Sequence, residues 1–176
     1  QTTGYYIYQC LIVSADQDLI MVLRESEISN IIYGSVVERY EGFTDVQHPA
    51  DLTCDTLRKH GLANKRIGVE EDSWFITIAD HGRTTAALPE ATWSDGSGLV
   101  EEGRVIKSPL EIETMREGAS AVARGMQAGY DTAQVGRTEA DVAGEVLKAL
   151  VTNGSSYFAS QPYICSGWRT GVTHSS

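Results

Sequence analysis

Acidic side chains and histidines are the residues of this sequence that could hold a metal ion for hydrolytic chemistry. A divalent cation needs several converging oxygen or nitrogen ligands to replace its water shell. The sequence has 24 aspartates and glutamates and 4 histidines, but Glu145 is the last carboxylate and His174 is the only histidine after His81. A complete metal site would have to use the acidic N-terminal half, where the acids are mostly scattered singly and residues 70–72 fit a solvated turn.

Motifs for nucleophilic catalysis or phosphate binding do not occur. The sequence has no G-x-S-x-G elbow, no G-x-x-x-x-G-K-[ST] loop and no G-x-G-x-x-G after a strand-like run. Cys10 and Cys54 have no adjacent basic or imidazole partner, so we expect both to be small buried hydrophobic residues. With Cys165, the sequence has an odd number of cysteines, and none of them has C-x-x-C spacing. This pattern indicates neither a disulfide framework nor a zinc site, and it favours the reducing cytoplasm as the location of the protein.

Charge and hydropathy exclude other classes of protein. A net charge of -10 disfavours nucleic acid as a partner, because affinity for phosphate rests on basic side chains. No apolar run approaches the roughly 20 residues that span a bilayer, so the sequence predicts no membrane insertion. Residues 1–100 hold 7 basic and 15 acidic side chains (net -8), whereas residues 101–176 hold 7 and 9 (net -2), a difference that suggests two modules.

Hydrophobic periodicity in the first module predicts alternating strands and helices. Aromatic and β-branched residues predict a β-hairpin over residues 6–13 and 19–23. Helical spacing and stop signals at Gly61 and Pro89 predict helices over residues 45–60 and 73–88, with strands over residues 66–70 and 91–93. This pattern favours an α/β (α+β) fold with a mixed sheet over residues 1–95.

The second module is predicted to begin with two helices. A linker over residues 96–107 precedes Ser108-Pro109-Leu110-Glu111, which combines an N-cap serine, a proline at the first helical position and a glutamate three residues after the cap. The helix carries an apolar stripe suited to packing on a sheet, formed by Ile112, Met115, Ala119, Val122 and Met126. A second helix begins at Thr138 and ends near Asn153, and we expect a strand and loops in the tail of this 108–176 module.

Two segments carry a family resemblance. Residues 104–116, R-V-I-K-S-P-L-E-I-E-T-M-R, resemble the start of the catalytic domain in the creatinase, prolidase and aminopeptidase P ("pita-bread") family. Residues 165–174, C-S-G-W-R-T-G-V-T-H, resemble the family's Ser-Gly segment, in which a histidine follows seven residues after the glycine. The resemblance implies that His174 is the active-site histidine, with a role in hydrogen bonding to substrate or in proton transfer.

The first module also resembles this family. Gly4-Tyr5, Tyr8-Gln9 and the strand end at Arg24 are similar to the N-terminal domain of the ectoine-hydrolase and creatinase-like branch, a domain that commonly mediates dimerisation. The resemblance implies that Arg24 points at a substrate carboxylate across a dimer. An ordinary solvated arginine is the alternative for this residue.

These resemblances imply a hydrolase of C–N bonds that acts on a dipeptide-like or an amidino or cyclic amino-acid substrate and forms a homodimer. The family's metal ligands, two Asp, one His and two Glu, follow the position that His174 matches. We therefore expect an incomplete family member, with no metal in this chain and a divalent metal in the complete protein. Truncation before Gln1 is a further hypothesis. The alternative function is a non-catalytic dimerisation or ligand-binding module.

Overall fold

The computed structural model describes residues 8–155, 158 and 160–173. Residue contacts divide the chain into two compact units, residues 1–103 and 104–176. The predicted boundaries were 1–95 for the first module, 96–107 for the linker and 108–176 for the second. A short helix, α4 (Leu99–Val105), lies within the predicted linker and was not expected.

The first unit is a mixed α/β structure whose elements alternate along the chain. Its strands are β1 (Cys10–Ile12), β2 (Ile20–Arg24), β3 (Arg39–Phe43), β4 (Arg66–Val69) and β5 (Thr92–Asp95). Its other helices are a 3₁₀ turn (Glu25–Glu27), α1 (Ile28–Gly34), α2 (Pro49–Lys59) and α3 (Ile78–Ala87). The predicted mixed α/β fold is thereby confirmed for this part of the chain.

Two small sheets contain the strands. In the first, β2 lies between β1 and β3, with Leu11 opposite Met21 in the antiparallel pair and Val22 opposite Glu41 in the parallel pair. In the second, β4 and β5 are parallel, with Ile67 opposite Trp93. The antiparallel β1–β2 pair confirms the predicted hairpin, and the parallel pairs make the first sheet mixed.

Apolar side chains from strands and helices form two core clusters in this unit. One packs β2 against α1 through Leu23 and Ile31, together with Val37. The other packs α2 against the end of α3 through Cys54, Leu57 and Leu88. Burial of these side chains holds the helices on the sheets, since removing apolar area from water is the main driving force of folding.

Two helices of the first unit begin later than predicted, because their caps lie later. Helix α2 begins at Pro49, where His48 Nδ1 accepts a hydrogen bond from the Ala50 amide at 3.3 Å. Helix α3 begins only at Ile78, because the hydroxyl of Thr77 accepts from the Asp80 amide at 3.0 Å. The predicted start of α3 at residue 73 is therefore wrong.

The second unit contains a pair of packed helices, α5 (Pro109–Thr132) and α6 (Glu139–Thr152). The predicted capping box of α5 is present: the Ser108 hydroxyl accepts from the Glu111 amide, and the Glu111 carboxylate accepts from the Ser108 amide. A second box joins Thr138 and Asp141 at the start of α6. The strand predicted in the tail does not occur among residues 158 and 160–173, which contain a 3₁₀ turn (Gly167–Gly171).

Helix α5 packs on α6 through small residues rather than through the predicted apolar stripe. Ala121 and Gly125 are its buried positions, and a Cβ built on Gly125 would lie 2.9 Å from Leu150 Cδ2. The bulky stripe side chains Ile112, Met115, Val122 and Met126 are 39–59% exposed. The stripe was predicted to pack on a sheet, but in this structure its bulky side chains are exposed, and glycine and alanine form the contact with α6.

Candidate functional site

Arg24 lies at the carboxyl end of β2, where it meets the residues that follow the parallel strand β3. Its Nε donates a hydrogen bond to Asp45 Oδ1 at 2.6 Å, and its guanidinium forms an ion pair with the same carboxylate. The Arg24 side chain is 38% exposed. A guanidinium has five N–H donors, so one aspartate does not exhaust its capacity to bind a second carboxylate.

His174, the residue assigned to proton transfer, lies outside the described residues. The segment that leads to it is described from Ser160 to Thr173, and the 3₁₀ turn from Gly167 to Gly171 lies within that segment. Gly167 begins this turn with φ of +60°, a left-handed conformation that side chains with a Cβ rarely adopt.

The first residue of α6 contacts this turn. Glu139 Oε1 accepts hydrogen bonds from the Ser166 amide at 2.6 Å and from the Ser166 hydroxyl at 2.7 Å. Glu139 Oε2 lies 3.3 Å from Arg169 Nη1. The two Ser166 hydrogen bonds hold the pKa of Glu139 below its ordinary value, with a smaller contribution from Arg169. We call these three residues the Glu139 clasp.

The Glu139 clasp was not predicted from the sequence. Glu139 directly follows the predicted start of α6 at Thr138, and its partner Ser166 is 27 positions away. An acid in the first turn of a helix is ordinary, because the helix dipole favours negative charge there. Only the folded chain brings the two residues together.

Among the described residues no group of three or more His, Cys, Asp or Glu side chains could hold a metal ion. Three acids at the end of α5 and in α6 already have other partners. Asp141 accepts from the Thr138 amide, Glu145 pairs with Lys148, and Asp131 accepts from Gln127. These three carboxylates are engaged with nearby side chains or amides. Since the described residues contain no suitable group of ligands, they do not fit a metal centre, and no catalytic step through a metal follows from them.

Histidine and carboxylate side chains also meet in the first unit, between α2 and α3. Arg83 donates two hydrogen bonds to Asp51, at 2.6 and 2.7 Å, and these bonds lower the pKa of Asp51. His48 Nε2 lies 3.8 Å from Asp80, but its Nδ1 already caps α2. This arrangement joins two helices and provides no nucleophile, so its role is structural.

Comparison with known proteins assigns the chain to a family. Residues 2–106 match the family model described as the creatinase/prolidase N-terminal domain. The chain belongs to the creatinase/prolidase family. The predicted family membership is thus confirmed, and the mixed α/β fold of the first unit is the fold of a creatinase/prolidase N-terminal domain.

Relatives in the creatinase/prolidase family are named as hydrolases or peptidases. The chain is 30% identical to an uncharacterized hydrolase/peptidase of Sinorhizobium fredii over 98% of its own length and 48% of the relative's. It is 27% identical to the ectoine hydrolase of Halomonas elongata over 68% of its length and 32% of that protein's. The chain therefore spans about half or less of the length of these curated relatives.

Solved structures of prolidase-type enzymes share the fold. The Xaa-Pro dipeptidase of Bacillus anthracis superposes with a TM-score of 0.67 at 18% identity, covering 84% of this chain and 39% of that one. The X-Pro aminopeptidase of Thermotoga maritima gives 0.69 at 16% identity, covering 84% and 38%. No helix among the described residues is both long and apolar enough to cross a bilayer.

Proposed function

We propose that this chain is part of a hydrolase that cleaves a C–N bond in a dipeptide-like or an amidino or cyclic amino-acid substrate. One observation carries the proposal: hydrolase and peptidase relatives match 98% and 97% of the chain, beyond the N-terminal domain and through both helices of the second unit. A free-standing N-terminal domain would match only to about residue 106.

The roles of particular residues are part of this proposal. His174 transfers a proton to or from the reacting group, a task suited to an imidazole that titrates near neutral pH. Arg24 binds a substrate carboxylate, and the Asp45 pair holds its guanidinium at the end of β2. The enzyme is a cytoplasmic homodimer. Residues 1–176 alone are inactive, and hydrolysis needs a divalent metal held by residues outside them.

The product of the complete reading frame tests the proposal directly. It should be purified and assayed against an Xaa-Pro dipeptide, ectoine and creatine, each with and without a chelator. We expect hydrolysis of at least one C–N bond, lost on chelation and restored by a divalent cation. Residues 1–176, assayed beside it, should be inactive and should hold no stoichiometric metal by elemental analysis.

A non-catalytic dimerisation or ligand-binding module is the second candidate. The observation that favours it is the exposed apolar stripe on α5, a surface suited to association. A complete gene product that binds no metal and hydrolyses none of the three substrate classes, while forming a stable dimer, would support the module and contradict the hydrolase.

A further inference from the structure

A cleft of about 330 Å³ lies at the end of the first sheet where the parallel strands β2 and β3 begin. Ile20, the first residue of β2, is buried at the base of this cleft. The polar lining comes from residues 38–41, at the start of β3, and from Lys59 and His60 at the end of α2. We call it the Lys59 cleft. Small-molecule sites usually have volumes of roughly 300–1,000 Å³, so its size suits a small ligand.

Two cations of the Lys59 cleft keep the capacity to bind a further anion. Lys59 Nζ lies 2.5 Å from Glu41 Oε1, and Arg39 Nη2 lies 2.9 Å from Asp18 Oδ2. The Lys59 and Arg39 side chains are 62% and 51% exposed. An ammonium group has three N–H donors and a guanidinium has five, so each cation can bind a ligand carboxylate without losing its present partner.

Three other polar groups of the cleft have no partner within the part of the chain that the structure describes. They are the Glu38 carboxylate, the Tyr40 hydroxyl and the His60 imidazole. An ionised carboxylate only accepts hydrogen bonds, so Glu38 can bind a ligand N–H. The Tyr40 hydroxyl and a ring N–H of His60 can donate to a ligand oxygen. The cleft therefore offers unused groups for both a cation and an anion.

The balance of charge favours a ligand that carries both signs. Arg39 and Lys59 are positive, Glu38 and Glu41 are negative, and a ligand of either net charge would meet repulsion from one of these pairs. The carboxyl end of α2 adds a partial negative charge, which favours a ligand ammonium group there. Tyr40 is 38% exposed and provides an aromatic ring for an apolar side chain.

The Lys59 cleft is separate from the candidate substrate contact at Arg24. The parallel register places Ile20 opposite Arg39 at one end of the strands and Arg24 opposite Phe43 at the other. The four steps from Ile20 to Arg24 span about 13 Å at roughly 3.3 Å per residue. One small amino acid cannot contact both ends, so a ligand in the cleft leaves Arg24 accessible.

We propose that the Lys59 cleft binds a free α-amino acid with an apolar side chain, in its zwitterionic form. Lys59 and Arg39 bind its carboxylate, Glu38 binds its ammonium group, and its side chain packs on the ring of Tyr40. This site goes beyond the proposed hydrolase function and does not depend on it, because none of its residues has a role in the proposed reaction.

Equilibrium dialysis of the complete gene product against radiolabelled L-leucine tests the site, with a chelator present to empty any metal-dependent site. We expect saturable binding. Leucinamide lacks the carboxylate and isocaproate lacks the ammonium group, so each should displace leucine about tenfold less well than unlabelled leucine does, because each loses charge-assisted hydrogen bonds. No saturable binding, or equal displacement by the three compounds, would overturn the proposal.

Substitutions in the same assay locate the bound leucine. Glu38→Gln should weaken binding by about tenfold, and Tyr40→Phe, which removes only the hydroxyl, by about threefold. Both variants should melt like wild type, since the groups removed have no partner among the described residues. Glu90→Gln changes an exposed glutamate outside the cleft and should bind leucine like wild type. Binding that is lost in Arg24→Ala but kept in Glu38→Gln would place leucine at the other end of the strands and overturn the proposal.

Discussion

At the scale of single residues, His174 is the most direct test of the catalytic assignment. In the complete gene product, His174→Ala should lower turnover by about 100-fold or more, the size expected for loss of a proton-transfer group. Metal content should stay the same, because the proposal gives His174 no ligand role. His60→Ala, at the end of α2, is the control and should retain activity. Wild-type turnover in His174→Ala would show that the resemblance identified the wrong histidine.

The three cysteines should differ in reactivity. Burial raises the pKa of the Cys54 thiol and raises that of Cys10 to about 11, and only the thiolate reacts quickly with disulfide reagents. We expect Cys165 to be labelled first in the native protein, and Cys165→Ser to remove the fast phase. A fast phase that survives this substitution but disappears in Cys10→Ser would contradict the assignment.

The Glu139 clasp should weaken in acid. Ser166 lowers the pKa of Glu139 in the folded unit, so the unfolded chain takes up this proton at a higher pH than the folded one. The stabilisation is fully present above the ordinary glutamate pKa and is lost as the pH falls through the lowered value. Arg169 stays positively charged over this range. The difference in urea midpoint between wild type and Glu139→Gln should therefore shrink on acidification, and a constant difference would rule out this linkage.

At the scale of the helices, glycine spacing determines how α5 packs on α6. A Cβ at Gly125 would lie 2.9 and 3.0 Å from Leu150 Cδ2 and Cγ, whereas one at Gly118 meets nothing within 4 Å. Gly125→Val should lower the free energy of unfolding by about 1–3 kcal/mol through overpacking. Gly118→Val on the same helix should change it by no more than about 0.5 kcal/mol. Equal changes in the free energy of urea unfolding for the two variants would contradict close packing of α5 on α6 at Gly125.

The elements that were predicted correctly are those whose contacts join residues close together in the sequence. The capping box of Ser108 and Glu111 lies within four positions, and the β1–β2 pair is joined by a short polar segment. Strand β3 was missed because it contains Gly42, and glycine is uncommon in strands. A Cβ there would lie 2.9 Å from Glu25 Cγ and Ile28 Cδ1, so a larger residue would force these two side chains to shift.

The candidate site was less predictable than the fold, because its contacts join distant residues. Asp45, the partner of Arg24, follows β3, so the pair could not be foreseen without that strand. Glu139 and Ser166 are equally remote in sequence. His174 was assigned by resemblance alone and stays a prediction.

At the scale of the whole molecule, the exposed stripe on α5 should drive self-association. We expect residues 1–176 to form dimers or larger species in light scattering, because Met115, Val122 and Met126 are 52–59% exposed on one helix. Replacing Val122 with Lys should shift the distribution toward monomer. Val135→Lys, at a fully exposed position outside the stripe, should not. A wild-type monomer at high concentration would contradict this expectation.

The division of the chain after Gly103 also affects how the protein is made. The strand pairs of the first unit join residues within that unit, so its sheets are complete in sequence before residue 104 is added. At about 5–20 residues per second, the 73 residues from 104 to 176 take the ribosome roughly 4–15 s to synthesise. Small domains fold within microseconds to seconds. The first unit can therefore fold during translation, while the apolar residues of α5 are still inside the exit tunnel or only just leaving it.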